Sequence, residues 1–515
     1  MSGRRIVLTA DRSLTTNYRG NFLYGFIACG PYELLPEWVF DKVFCPSVET
    51  DPVTGEAKVA QCGLRRIESA LLKEYKREEV FIAHPDMLDK AIGEDTKVVG
   101  INVMDPLGMA PVTTTMSPEK LSYIAMKFKR MCAKIIQLKK KYNFKVLVGG
   151  NGSWELAKPE RMMIHGIDCV VIGEADEIAV DLFKDAEEGN LKPLVHAFVR
   201  NIDNIPEIRG PTVNSLIEAM RGCGRGCDFC DVNKRSKKDF PLDRLQREAK
   251  INLDYGFDSI WLQSDEILLY GCDNKDFIPN KDAITYLWRG LKSLGARFVG
   301  TTHMTLSGVV AKPDLIEELS RINEMNGHRW LATNLGLETG SVRLAKRHLG
   351  MKTKPFSPEE WPWVVKEGCK ILNKNHWFPA LTLIIGWPDE TPDDTRDTLE
   401  LVESLRAMNM RGLIAPLLYQ DFNEKNSMHF RNLNEMQFTV FWRCWEHNLK
   451  VINDIIPIIV RNKTYGPLMK VFIAMLIKAG TWAIMRYLRG LCKELFGSTP
   501  DDIVERYAKP ITVSR

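Results

Sequence analysis

Apolar residues recur along this chain in two alternating rhythms. Short unbroken apolar runs stand at 5–9, 79–83, 97–103, 145–148 and 169–172, and between them apolar positions return every three or four residues at 64–75, 118–141 and 159–165. A strand without polar alternation is buried on both faces, and the helical stretches supply the cover, so the pattern predicts a parallel sheet flanked by helices, a Rossmann-like unit over 1–200. Residues 1–60 are rich in Gly, Pro and aromatics and show little periodicity. Residues 191–211 hold three prolines and no long periodic element, and are read as a linker.

A second series follows. It places strands at 215–219, 259–263, 297–301, 330–337, 379–385 and 412–416, with helices at 242–254, 313–323 and 393–408. Six such units suit a partial (β/α)6 barrel, open on one side, over 211–420. From about 421 to 515 the chain reads as mainly helical and basic, a third region. The fold class expected is α/β: a Rossmann-like domain, a partial barrel and a helical C-terminal region. No tandem repeat or low-complexity tract interrupts it.

Composition supports a folded chain: 45% of the 515 residues are hydrophobic and 26% charged. The formal net charge of +4 is small for this length, which argues against a general nucleic-acid binder. Twelve cysteines are present, with no spacing typical of a disulfide framework and no secretory apolar stretch after Met1, so a reducing cytoplasm is the default compartment. No run of about 18 uncharged apolar residues appears, so no spanning helix is expected.

Three cysteines are tightly clustered, in Met220-Arg-Gly-Cys223-Gly-Arg-Gly-Cys227-Asp-Phe229-Cys230. This C-x3-C-x2-C loop follows the first strand of the barrel series. Three thiolates on a glycine-rich loop can take three corners of a [4Fe–4S] cubane and leave the fourth iron open for the amino and carboxylate groups of S-adenosylmethionine (SAM). A structural zinc site would need a fourth protein ligand, and no nearby His or Cys has suitable spacing.

The loop resembles that of the radical SAM superfamily, and later segments extend the resemblance. Gln263-Ser-Asp265-Glu266 stands where such enzymes place polar groups near the SAM amino group. Gly336-Leu-Glu338-Thr-Gly340-Ser341 is similar to a strand-end G-x-E-[ST]-G-S segment. Ile385-Gly386-Trp-Pro388-Asp-Glu390-Thr391 is similar to an I-G-x-P-G-E-T segment, with Asp389 where glycine is usual. The resemblance implies SAM contacts from Asp265, Glu266, Glu338 and Ser341. Read by themselves, Asp265 and Glu266 are equally solvated carboxylates at a strand end, and Glu390 a turn and helix-start residue.

The N-terminal region resembles the cobalamin-binding-type domain that precedes many radical SAM barrels. Asp105-Pro-Leu-Gly108, Val148-Gly149-Gly150-Asn-Gly152 and Ile167-Asp168-Cys-Val-Val-Ile-Gly173-Glu174 carry this resemblance, together with Gly63-Leu-Arg-Arg-Ile-Glu68. Glycines at strand ends allow a flat cofactor to approach the backbone. The resemblance implies cobalamin contacts from Asp105, Gly108, Gly149, Gly150, Gly152, Gly173 and Glu174. The D-x-H-x-x-G segment that supplies a histidine to cobalt is absent after Val103. The other reading of the same residues is a retained fold whose glycines serve only turns and packing. Cys29, Cys45 and Cys62 are spaced too widely to suggest a second cluster.

In residues 468–495, Lys470, Lys478, Arg486, Arg489 and Lys493 fall on one side of an otherwise apolar helical pattern with Trp482 and Tyr487. Such a stretch suits either an anionic membrane surface or a core helix with a wet edge, and Gly480 and Gly490 weaken the expectation of one straight helix. Taken together, the chain resembles archaeal tetraether-lipid cyclopentane ring synthases. That resemblance implies a 5′-deoxyadenosyl radical abstracting hydrogen from an isoprenoid lipid substrate, a low-potential electron donor, and a cytoplasmic protein peripheral at the inner membrane face. The alternative is a cobalamin-dependent radical SAM C-methyltransferase acting on an apolar substrate. A third class is a non-catalytic electron-transfer or sensor protein. No catalytic side chain is assigned by the sequence.

Overall fold

The computed structural model describes residues 3–20, 22–230, 235–273, 275–422, 424–460 and 466–507. The chain divides into two compact units, the first comprising Met1–Glu218, Phe240–Trp261 and Ser293–Phe298, the second Ala219–Asp239, Leu262–Lys292 and Val299–Arg515.

In the first unit β1 (Ile6–Ala10), β2 (Val80–Ile82), β3 (Val98–Asn102), β4 (Lys145–Gly149), β5 (Cys169–Gly173) and β6 (Leu194–Ala197) form one sheet in the order β2-β1-β3-β4-β5-β6. Every pair is parallel. Alternate residues serve two cores. Ile6, Leu8 and Ala10 pack with Leu64, Leu71 and Phe183 on one face, while Val7, Val99 and Val146 pack with Phe128 and Ile135 on the other. This is why the strands read as unbroken apolar runs. The helix Tyr123–Tyr142 begins at Ser122, whose hydroxyl accepts from the Ala125 N–H at 3.2 Å, and ends at Asn143 with φ +50°.

One expectation is corrected here. The stretch read as a linker contains β6, an edge strand. Its inner neighbour covers one edge only and most of its side chains stay at least partly exposed, so its sequence lacks the apolar run that marks the other strands.

The barrel series is present strand for strand: β7 (Leu216–Glu218), β10 (Ile260–Gln263), β11 (Val299–Thr301), β12 (Leu331–Glu338), β13 (Trp377–Ile385) and β14 (Leu413–Leu418). They stand in two three-stranded sheets, β11-β10-β7 and β12-β13-β14, and a parallel bridge from His303 to Asn334 carries the second sheet on from β11. Among the described residues no pairing joins β14 to β7. A short antiparallel pair, β8 (Met220–Arg221) with β9 (Lys238–Asp239), brackets the cysteine loop.

The helix Glu435–Ile459 lies along β14. The Asn448 carboxamide accepts from the Ile414 N–H and donates to the Ile414 C=O, both at 2.7 Å, as a neighbouring strand would. The helix Pro467–Phe496 runs unbroken through Gly480 and Gly490. It is long and apolar enough to cross a membrane, with Lys470 and Lys478 interrupting the uncharged run in sequence but not the helix. The expectation that no such helix exists is thereby corrected.

Candidate active site

The cysteine loop follows β8 and turns on three glycines with positive φ: Gly222 (+69°), Gly224 (+73°) and Gly226 (+77°). Gly224 has open space around it, so glycine serves the left-handed turn there and not a close contact. The loop brings Cys223, Cys227 and Cys230 within reach of one another's charge. Burial pushes the Cys227 thiol up to about 12, and that of Cys223 also upward, so neither ionises at neutral pH without a metal to take the charge. Among the described residues no three His, Cys, Asp or Glu side chains gather as a single-ion site requires. Three thiols on one loop can each take one corner of an iron–sulfur cluster, whereas a structural zinc site needs a fourth protein ligand.

A strap immediately after the helix Val342–His348 holds this loop along its length. The Asp228 N–H donates to the His348 C=O (3.2 Å), the Cys227 thiol to the Leu349 C=O (3.2 Å), and the Met351 N–H to the Arg225 C=O (2.6 Å). Gly350, at φ +54°, lies so close that a Cβ would meet the Gly226 and Arg225 carbonyls at 2.5 and 2.6 Å. Arg225 clamps the strap from the loop's side. Its Nη1 donates to the carbonyls of Met351, Lys352 and Lys354 at 3.0–3.3 Å, and its Nη2 to the Thr305 hydroxyl at 3.2 Å.

His348 closes the far end. Its Nδ1 meets Asp228 at 2.7 Å, its Nε2 meets Asp389 at 2.8 Å, and its ring stacks on Trp387 at 4.7 Å. Trp387 in turn receives Phe229 edge-on at 5.2 Å. Asp389 therefore has a structural account where glycine was the expected residue. It binds His348, Arg343 and Arg347. Burial alone pushes its carboxyl upward, but the His348 and Arg343 hydrogen bonds outweigh burial and hold it below the ordinary range.

Glu338 is the last residue of β12, set at φ +64° where the register with β13 shifts. A bulge of this kind re-aims a side chain at a strand end. Its Oε1 accepts from Lys352 Nζ at 2.5 Å and its Oε2 from the Thr382 hydroxyl at 3.1 Å. Gly336 makes the room, since a Cβ there would sit on the Glu338 carboxylate and the Lys352 ammonium. Burial pushes Lys352 down, yet the charges of Glu338 and of nearby Cys227 outweigh it, so its pKa is raised and it stays a cation. A buried Glu–Lys pair thus stands beside the thiols.

The other residues expected to contact SAM take different places. Asp265 accepts from the Gly222 N–H at 2.6 Å and so fixes the start of the cysteine loop. Glu266 is 1% exposed; it accepts from the Leu268 and Thr305 N–H groups and faces Arg225 at 3.8 Å. Burial raises its pKa. Ser341 is fully buried, caps the helix Val342–His348 through the Leu344 N–H, and donates to Asp394 at 2.5 Å. Glu266 and Ser341 are thus both buried and held by contacts within the protein. Glu390 is the turn residue it was read as, accepting from the Gly386 and Trp387 N–H groups. Arg225, His348, Lys352 and Trp387 were not singled out in the sequence. The departure at Asp389 was the one available signal for His348.

The residues expected to hold cobalamin all lie in the first unit. A Cβ at Gly150, Gly152 or Gly173 would meet the backbone oxygen of Val103, Met104 or Ala197 at 2.2–2.4 Å. These three glycines are required by the domain's own loop packing. Gly149 alone opens, its nearest neighbour being Val171 at 3.9 Å, and Gly108 is a left-handed turn beside Ser122 and Thr113. Asp105 is buried and accepts from the Ala110 N–H at 2.9 Å and from Thr113, while Glu174 accepts from the Val199 N–H at 3.2 Å. Gly150, Gly152 and Gly173 thus serve the domain's own packing, while Gly149 keeps room beside it.

The Radical SAM superfamily model matches residues 217–402. The chain carries a radical SAM domain. Its cofactors are accordingly a [4Fe–4S] cluster and SAM. Threonylcarbamoyladenosine tRNA methylthiotransferase of Mus musculus is 22% identical over 269 residues, 48% of this chain and 42% of that protein. The tRNA-2-methylthio-N(6)-dimethylallyladenosine synthase of Thermotoga petrophila is 23% identical over 275 residues, 52% of this chain and 57% of that one. The chain thus spans about half the length of these curated relatives. Among solved structures, the radical SAM methyltransferase TsrM of Kitasatospora setae, with tryptophan substrate and a SAM analog bound, aligns with a TM-score of 0.52 at 13% identity, over 81% of this chain and 74% of that one. That likeness shows a shared fold extending beyond the radical SAM domain.

Proposed function

We propose that this protein is a cobalamin-dependent radical SAM enzyme that transfers a methyl group, supplied by a second molecule of SAM, to an unactivated carbon of an apolar substrate. The strapped cysteine loop with the Glu338–Lys352 pair beside it is the observation that carries the radical SAM part. The reach of the likeness to a radical SAM methyltransferase over 81% of the chain supports methyl transfer as the outcome.

In this reading Cys223, Cys227 and Cys230 hold the cluster, and Asp265, Arg225 and the strap fix the loop's shape before anything binds. Bound together, the cluster and SAM supply a reductively generated radical strong enough to take hydrogen from a saturated carbon, which no acid–base group can deprotonate. Lys352 keeps a positive charge beside thiolates and any carboxylate placed there, and Glu338 provides the acceptor for an amine or a hydroxyl. Trp387 and Phe229 pack along the loop and keep water from its far side.

A second reading is ring closure within an isoprenoid lipid chain. The exposed apolar helix Pro467–Phe496 favours a lipid substrate. Anaerobic turnover with candidate lipids separates the two by mass, since methylation adds one CH2 per event and ring closure removes two hydrogens. Cobalamin content of protein produced with the vitamin available is the companion measurement.

A further inference from the structure

The helix Pro467–Phe496 carries a surface pattern that its amphipathic reading in sequence does not contain. One stripe, spaced alternately four and three residues, is exposed along its length. It begins with Leu468, Phe472, Met475, Ala479 and Trp482, all exposed, the four large side chains by 38–88%. It continues, on the same face, as Arg486, Arg489 and Lys493, all exposed. The opposite side buries Ile473, Leu488, Leu491 and Cys492. Lys470 and Lys478 interrupt the apolar half, so the cations are concentrated in the carboxyl-terminal half and not confined to it.

The carboxyl-terminal half is tied to the unit. Phe496 packs against Phe438 at 5.4 Å, Arg489 lies over Trp442 at 5.9 Å, and Glu494 pairs with Arg431 at 2.8 Å. The amino-terminal half carries the exposed apolar surface. A core helix would be mostly buried, yet only 11% of the apolar window is buried, and a signal sequence would stand at the other end of the chain.

We propose that this helix docks the protein obliquely on the surface of an anionic lipid bilayer, with 468–482 in the outer acyl layer and Arg486, Arg489 and Lys493 at the headgroups. The exposed stretch 468–482 is about 21 Å long at 1.5 Å per residue, shorter than a hydrocarbon core about 30 Å thick, although the whole helix Pro467–Phe496 is long enough to span one. Trp482 stands at the boundary, where an indole finds both apolar chains and water. Three cations in a row, with no acid on that stripe, match anionic headgroups and not a zwitterionic surface. The inference deepens the proposed function by placing its substrate in the membrane, but its evidence does not rest on that reading.

The test is co-sedimentation of the full-length, cluster-loaded protein with phosphatidylglycerol vesicles and with phosphatidylcholine vesicles. Binding to the anionic vesicles alone is expected, weakened on the order of a hundredfold in the Arg486→Glu/Arg489→Glu/Lys493→Glu variant and also lost in Met475→Ser/Trp482→Ser, whose two positions are open to solvent. Release by carbonate is expected. Equal binding to both vesicle types, binding that survives both variants, or protein that resists carbonate extraction would each overturn the proposal, as would variants that change only self-association. SAM cleavage without vesicles should be normal in both variants. Its loss from the unaltered protein would instead strike the proposed function and leave the docking result standing.

Discussion

Arg225 lies inside the cysteine loop but binds no cluster, and its removal should loosen the site from beneath. Its guanidinium is 1% exposed, donates to three strap carbonyls and to Thr305, and is the counter-charge of Glu266 at 3.8 Å. Replacing it with Met keeps the apolar stem and removes the stronger of the two cations acting on buried Glu266, leaving only Lys352. Breaking a buried pair by deleting one partner costs about 3–5 kcal/mol. The lower end is expected, because Arg225 Nε and Glu266 Oε2 make no direct hydrogen bond. A loss of about 3 kcal/mol in the opening free energy corresponds to exchange faster by somewhat more than a hundredfold. Amide hydrogen exchange of 222–230 and 348–354 reads this directly, with iron and sulfide per chain after anaerobic reconstitution as the second measure. Adding Glu266→Gln should restore at least about 1 kcal/mol, since it removes the stranded charge. Exchange within about tenfold of the unaltered protein, with full iron content, would refute the clamp.

Gly350→Ala should cost most of the iron without unfolding the first unit, because the new methyl meets two loop carbonyls; iron analysis beside far-ultraviolet dichroism checks this. Glu338→Gln should weaken SAM binding by about 1–3 kcal/mol while iron content holds, as calorimetry on the loaded protein would show; unchanged affinity would make the Glu338–Lys352 pair purely structural. In the first unit, burial raises Asp11 to about 6, so the native state holds a proton that the unfolded chain, with a carboxyl near 3.9, releases earlier. The stability lost to this group therefore grows as pH rises from about 4 to about 6 and stays lost above it. Asp11→Asn should gain about 2–3 kcal/mol in denaturant unfolding at pH 8 and nothing below about pH 4; a gain independent of pH would contradict the assignment.

The elements were legible because burial on both faces leaves a simple trace. β3 and β5 show as apolar runs, whereas β6 at the sheet edge does not, and it hid inside a proline-containing stretch. The cysteines were legible because their spacing is itself the chemistry. Their support was not. Arg225 reads as one basic residue among many until the carbonyls of 351–354 surround it, and Lys352 becomes notable only when Gly336 and the bulge at Glu338 bring a carboxylate to it. Ser341 and Glu266 stand in recognisable segments, but the sequence does not show that they also cap helices and face the Arg225 clamp. The strand-end glycines of the first unit read equally well as cofactor space or as packing, and only the distances to Val103, Met104 and Ala197 favour packing.

The central claim is radical chemistry at a cluster held by Cys223, Cys227 and Cys230. Its most direct test is the 5′-deoxyadenosine formed from SAM by anaerobically reconstituted protein with a low-potential reductant, compared with the three single Cys→Ala variants. The account predicts formation by the unaltered protein and none by any of the three. Undiminished product from a variant, or none from unaltered protein carrying a full cluster, would contradict it.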